Sequence, residues 1–261
     1  MQQHDTKSIV TFAATVCIVC SVFVAGSAVV LKPLQERNKV LDRQKKVLAV
    51  AGLVEDGEKL DAETTAQRFA ERIHAVVVDL ASGTVDESAD PSAFDQRKAT
   101  KDPELSEPAP PNNAGIPRLP EQGLVYRIES DGKLDGLILP IEGKGLWSTL
   151  YGFIALDADG RTVKGITFYE HGETPGLGGE VDNPRWQHLW VGRLAFDDDW
   201  SPAIAVKKGR AGSVEADPYQ VDGLSGATIT SRGVTHLVQF WLGEHGFGPY
   251  LEHFRESHGI S

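Results

Sequence analysis

Cysteine is nearly absent from this chain: 261 residues contain two, Cys17 and Cys20. Neither a disulfide-stapled fold nor a complete cysteine-ligated cluster can be built from so few. A chain this long buries a core without such staples. Cationic charge is also in deficit, with 26 Lys and Arg against 37 Asp and Glu, a net charge of −11. An acidic chain lacks the basic footprint of a protein that grips phosphate backbones, so nucleic acid is not an expected partner. Several signatures are missing as well. No G-x-x-x-x-G-K-[ST] occurs, no internal repeat stands out, and no G-x-G-x-x-G follows a strand, so nothing in the chain reads as an NADH site. His171-Gly-Glu173 matches the H-x-E of zinc deaminases, but their P-C-x-x-C ligands are absent. Asp157-Ala-Asp-Gly160 opens like a calcium loop yet has Phe168 where the closing Glu belongs, and Gly223-Leu-Ser-Gly226 lacks nucleophile-elbow spacing.

What the chain does have is segregated. Ser8 to Leu31 (SIVTFAATVCIVCSVFVAGSAVVL) runs 24 residues without a charge. As a helix at about 1.5 Å per residue it reaches roughly 36 Å, enough to cross a bilayer core. A cleaved leader is the alternative reading, with Ala25-Gly26-Ser27-Ala28 as its cleavage-like segment, although a leader's apolar region is shorter, about 7–15 residues. Cys17 and Cys20 fall inside the span on one helix face; they read as small hydrophobes or as half of a redox or metal pair shared with another protein of an assembly. Lys7 precedes the span, whereas Lys32, Arg37, Lys39, Arg43, Lys45 and Lys46 follow it, and by the positive-inside rule this count puts the large domain in the cytoplasm. Net charge is zero over residues 1–31 and +4 over 32–48, leaving −15 for residues 49–261.

Beyond the span, Leu34, Leu41, Val47, Leu48 and Ala51 recur near helical spacing up to Gly52, and DAETTAQRFAERI (61–73) predicts a second helix followed by a short strand at His74–Asp79. These form a post-membrane region, 32–82. Residues 83–122 are rich in Pro, Asp, Glu, Asn and Ser and poor in apolar side chains, a composition unable to order itself alone, and are expected to be a loop or linker. From 123 to 261 the strand-like runs Leu124–Ile128, Leu137–Ile141, Tyr151–Leu156 and Val163–Tyr169, with an Asp159-Gly160 turn between the last two, predict an α+β domain with a mainly antiparallel sheet.

Three short segments carry the chemistry. In Asp222-Gly-Leu-Ser-Gly-Ala-Thr-Ile-Thr-Ser-Arg-Gly-Val234 four hydroxyls (Ser225, Thr228, Thr230, Ser231) precede a helix marked by Val234, Leu237, Val238, Trp241 and Leu242. Free amides and the positive dipole end at such a place favour a phosphate; ordinary N-capping by Ser225 or Thr228 is the plainer reading. His171-Gly-Glu-Thr-Pro-Gly-Leu-Gly-Gly179 is a glycine-rich loop with polar side chains, shaped for a ligand or simply a surface loop. Gly143-Lys-Gly-Leu-Trp-Ser148 offers Trp147 to a planar ring, or to the core.

DGLSGATITS resembles the S-G-A-T flavinylation motif of FMN-binding subunits in bacterial membrane redox complexes. With GLWSTLYG, HGETPGLGGE and the post-membrane LKPLQERNKVLDRQKKVLAVAGL, the chain is similar to the C-subunit family of the Na+-translocating NADH:quinone reductase. S-G-A-T alone is shared with the G-subunit of the related Rnf complex, the nearest alternative; a flavin-free membrane-tethered assembly module is the other. The likeness covers the span and most of the exterior domain, and residues 83–122 add nothing to it. It implies an electron-relay subunit of a membrane sodium pump, an oxidoreductase and translocase. Another subunit would oxidise NADH. It also implies covalent FMN joined through its phosphate to Thr228 by a flavin transferase using FAD, within Ser225, Gly226, Ala227 and Thr230. Glu173, Thr174, Leu177 and Gly178 are then expected at the isoalloxazine or ribityl chain, with Trp147 and Ser148 nearby and Lys207 as a cation for reduced flavin. No catalytic side chain and no metal are expected, because the flavin does the electron chemistry. The resemblance further implies a single-pass protein of the bacterial inner membrane with its large domain in the periplasm, against the cation count.

Overall fold

The computed structural model describes residues 6–55 and 58–260; residues 1–5 of the expected N-terminal tail lie outside the described residues. Two units are compact in themselves, residues 6–43 and residues 44–260. The first is most of α1 (Thr6–Val50), a continuous helix that carries the whole uncharged run and continues through the helical period expected up to Gly52. Pro33 sits inside it without ending it. The apolar side chains of the span are exposed within the chain, as for a helix whose solvent is lipid.

In the second unit, α2 (Ala62–Arg72) starts where Asp61 accepts the Thr64 amide at 2.8 Å, and runs directly into β1 (Ile73–Asp79). The segment α3 (Gln96–Lys101), β2 (Ser106–Pro108) and β3 (Arg118–Pro120) follows. Next come β4 (Gln122–Ser130), β5 (Lys133–Lys144), β6 (Thr149–Asp157) and β7 (Val163–Glu170). A 3-10 turn (Gly178–Asp182), α4 (Pro184–His188), the short parallel pair β8 (Ala205–Val206) and β9 (Gln220–Val221), α5 (Thr228–Leu242) and α6 (Gly248–His258) complete the chain.

The main sheet has the order β1-β4-β5-β6-β7, antiparallel throughout. Both its faces are covered. On one, Leu137, Leu139, Ile141, Leu150 and Ile154 pack with Val234, Leu237, Val238 and Trp241 of α5. On the other, Ile138, Phe153 and Ala155 pack with Val47, Leu48, Val50 and Ala51 at the end of α1. Double-sided burial explains why these strands read as near-continuous apolar runs rather than alternating ones.

The expected loop or linker at 83–122 is ordered instead. Its carboxylates fold it locally: Asp86, Asp90, Asp95 and Asp102 each accept a backbone amide two or three residues on. Of its apolar residues, Ala99, Ala114, Ile116 and Leu119 are buried, Val85, Ala89 and Phe94 are partly buried and Leu105 is exposed. The sheet supplies the remaining surface, with Gln96 accepting the Leu124 amide at 2.9 Å and Arg97 paired to Glu170 at 2.7 Å. The segment does not stand apart as a linker: it folds against the sheet, and outside α3, β2 and β3 it is loop. Helix α6 and the β8–β9 pair were also not anticipated.

Candidate functional site

Helix α5 begins at Thr228, where the hydroxyl-rich stretch meets the apolar period. Its preceding residue, Ala227, has no side chain able to cap, and no side-chain cap is present. The four hydroxyls divide into two kinds. Thr230 and Ser231 are buried and committed: Thr230 Oγ1 donates to Glu173 Oε2 at 2.7 Å, and Ser231 Oγ accepts the Leu224 amide at 3.0 Å. Ser225 and Thr228 are exposed, and neither hydroxyl has a partner among the described residues. The capping reading therefore fails for Thr228, which crowns an uncapped helix start.

Three segments converge there. Gly145 to Ser148 form a turn closed by the Gly145 amide donating to the Ser148 carbonyl at 2.8 Å. The amides of Leu146, Trp147 and Ser148 all donate to the Glu173 carboxylate, at 3.2, 2.9 and 3.2 Å. Successive amides converging in this way make an anion nest, here filled by a carboxylate of the same chain. Burial pushes the Glu173 carboxyl up, but the Thr230 hydroxyl and the three amides outweigh it and hold it below the usual carboxylate range. Ser148 Oγ accepts the Gly172 amide at 2.6 Å, a second tie between the two loops. His171 braces the turn, its Nδ1 accepting the Glu173 amide at 3.2 Å and its Nε2 lying 2.8 Å from Asp182.

Glycine is required at the points of closest approach. A Cβ on Gly178 would lie 2.6 Å from Thr230 Oγ1 and 2.7 Å from Glu173 Oε2. A Cβ on Gly145 would lie 2.6 Å from Glu173 Oε1, and one on Gly233 would run into the Lys144 carbonyl. Gly226 adopts φ +71°, and a Cβ there would meet Leu177 Cδ2 at 2.9 Å.

With their backbones turned inward, the loops push side chains out. Trp147 is 67% exposed, so it belongs to no core, and Leu146, Leu177 and Ile229 are exposed with it. Thr174 is exposed, Gly178 and Ala227 are buried, and Ser148 is half-buried. Thr228 is thus flanked in the chain and across Gly226 by unburied apolar side chains, a surface suited to a planar aromatic group beside a phosphate. Lys207 reaches the region through its backbone, whose carbonyl lies against Gly223, while its ammonium pairs with Asp217 at 3.2 Å. Leu146, Ile229, Gly145 and Gly233 lie inside the segments that the sequence singles out, but their individual roles are not legible there; the Gly-Lys-Gly spacing and the glycine interrupting the α5 apolar period are the available signals. Among the described residues no group of His, Cys, Asp and Glu could hold a metal.

The arrangement matches known proteins. Residues 145–243 match the FMN-binding domain family. The chain is 51% identical to the C-subunit of the Na(+)-translocating NADH-quinone reductase of Pseudomonas aeruginosa, over 97% of this chain and 98% of that one. It is 49% identical to the corresponding protein of Yersinia pestis, over 92% and 90%. The crystal structure of Shewanella oneidensis NqrC superposes with a TM-score of 0.76 at 36% identity, covering 85% of this chain and 99% of that chain. The crystal structure of the C-subunit from Parabacteroides distasonis gives 0.66 at 28%, covering 85% and 96%.

Proposed function

The chain belongs to the C-subunit family of Na(+)-translocating NADH-quinone reductases, as an FMN-binding subunit of that oxidoreductase, and we propose that it relays electrons through FMN attached covalently to Thr228. The observation that carries this reading is the exposed Thr228 hydroxyl, without a partner among the described residues, at the first position of an uncapped helix in which Thr230 and Ser231 are already committed and before which Ser225 lies outside the helix. A phosphodiester there gains from the helix amides and dipole.

Attachment requires FAD and a flavin transferase as partner. The bond from Thr228 Oγ1 to the riboflavin-side phosphorus forms as the pyrophosphate bond of FAD breaks. AMP leaves, the hydroxyl proton passes to its phosphate, and nothing is oxidised or reduced. Bound FMN supplies the electron-carrying chemistry, and the protein supplies position and electrostatics. Gly226 lets the backbone turn under the phosphate, with Ser225, Ala227 and Thr230 completing the turn. Trp147, Ser148, Thr174, Leu177 and Gly178 border the ring and the ribityl chain. Lys207, sharing its charge with Asp217, is the cation assigned to reduced flavin. No NADH fingerprint exists here, so the electrons arrive from another subunit.

The span anchors the chain in the inner membrane, and the family assignment supports a periplasmic domain over the cation count. Co-expression with a flavin transferase, followed by denaturation, is expected to leave in-gel flavin fluorescence and one FMN adduct by intact mass. Fluorescence that survives Thr228→Val overturns the attachment. Protease added to spheroplasts is expected to digest the domain, and protection from outside would put it in the cytoplasm.

A further inference from the structure

We infer that Glu173 is a positioning residue for flavin attachment rather than a flavin contact: its buried carboxylate sets the aromatic platform around Trp147 and the first turn of α5 in fixed relation. The inference rests on the reading of Thr228 as the flavin site.

Four donors occupy the carboxylate. Oε1 takes the Trp147 and Ser148 amides at 2.9 and 3.2 Å, and Oε2 takes the Leu146 amide at 3.2 Å and the Thr230 hydroxyl at 2.7 Å. Its relative exposure is 5%, so it has neither the surface nor the spare acceptor capacity to serve a ligand. What it does is join two elements far apart in sequence. The three amides are drawn inward, which turns Leu146 and Trp147 out to solvent. The hydroxyl fixes the third residue of α5, which sets the rotation of that turn and hence the direction in which Thr228 presents its own hydroxyl. Gly145 and Gly178 independently mark the same carboxylate, since a Cβ on either would lie within 2.7 Å of one of its oxygens. The site is therefore cut to fit an ionised glutamate in one position.

Glutamine is nearly isosteric but cannot do this, because its amide nitrogen accepts no hydrogen bond and leaves one pair of donors facing a donor. Thr230→Val removes one hydroxyl from the same cluster with little change of volume, and Thr230→Ser keeps it.

The test uses the full-length chain in membranes together with the other reductase subunits and the flavin transferase. Flavin per chain is followed in time after transferase induction, and the midpoint potential of the attached flavin is measured. Glu173→Gln and Thr230→Val are expected to flavinylate at least tenfold more slowly and to shift the potential of the flavin they carry, while Thr230→Ser stays within twofold of wild type in rate. A potential shift and rescue by serine are not produced by a role in folding alone. If Glu173→Gln fails to accumulate, the Thr230→Val and Thr230→Ser pair decides. Rates within twofold and an unchanged potential in both Glu173→Gln and Thr230→Val, or Thr230→Ser as slow as Thr230→Val, overturn the inference. Thr228→Val separates the two layers: flavin retained in that variant overturns the attachment reading, whereas flavin lost there with normal Glu173→Gln and Thr230→Val removes only the positioning role.

Discussion

Thr228 and Thr230 stand two residues apart in the first turn of α5 and have opposite environments: Thr228 is exposed, its hydroxyl without a partner among the described residues, whereas Thr230 is fully buried and donates to Glu173 at 2.7 Å. A helix turns about 100° per residue, so neighbours of identical chemistry face in different directions. One threonine faces solvent, and the other ties α5 to the loop that carries Glu173.

Substitution should separate the two roles in stability as well. Thr228→Val is expected to change unfolding stability by no more than about 0.5 kcal/mol, as usual for an exposed position. Thr230→Val removes a buried hydrogen bond to a charged group and is expected to cost about 1.5–3 kcal/mol. Denaturant unfolding of the two variants checks the difference, and equal losses would contradict it.

Gly178→Ala is expected to disturb the site without altering its chemical groups. The added methyl would sit 2.6 Å from Thr230 Oγ1, so the cluster must open, at about 1–3 kcal/mol of overpacking cost. Thermal unfolding and flavin incorporation should fall together. Gly132→Ala is the control, because nothing lies within 4 Å of its Cβ position and only its φ of +72° resists the change; it should lose stability and keep its flavin.

Trp147→Ala tests the platform. Because Trp147 is 67% exposed, its removal should leave stability within about 0.5 kcal/mol of wild type. The absorption spectrum and potential of the attached flavin should nevertheless shift. An unchanged spectrum would mean the ring lies elsewhere.

Glu142 supplies a pH-dependent prediction. Burial raises its carboxyl above 4.5, with Arg97 and Lys101 pulling it partly back. The folded state thus binds this proton more tightly than the unfolded chain. Its contribution to stability is most favourable below pH 4.5 and declines as pH rises through the folded-state value. Glu142→Gln is expected to raise the melting temperature near pH 7 and to leave it almost unchanged near pH 4. Melting curves at both pH values check the sign; equal gains at both would contradict the burial argument.

Leu48 tests where α1 becomes part of the folded domain. It is fully buried against the sheet, so Leu48→Ala is expected to cost about 2–5 kcal/mol. A truncation that begins at Gln44 keeps this residue and should leave a folded, extractable domain, whereas one that begins at Gly52 should not. Solubility and circular dichroism of the two truncations distinguish them.

The sequence by itself determined an uncharged run long enough to cross a bilayer, the positions of the main strands along the chain and the neighbourhood in which α5 begins. Those properties follow from local pattern: an uncharged run of bilayer length, apolar runs the width of a sheet, and small residues ahead of a 3.6-residue period. It also carried the family resemblance, because the motifs are contiguous. What local pattern could not hold was which hydroxyls stay exposed, since Ser225, Thr228, Thr230 and Ser231 are alike until the fold buries two of them. Nor could it show that the polar segment 83–122 is ordered, because the surface that orders it belongs to β4 and β7. Glu173 and Thr230 are separated by 57 residues. Only the tertiary structure brought that carboxylate under the amides of Leu146, Trp147 and Ser148, where burial and four donors together decide what it can touch.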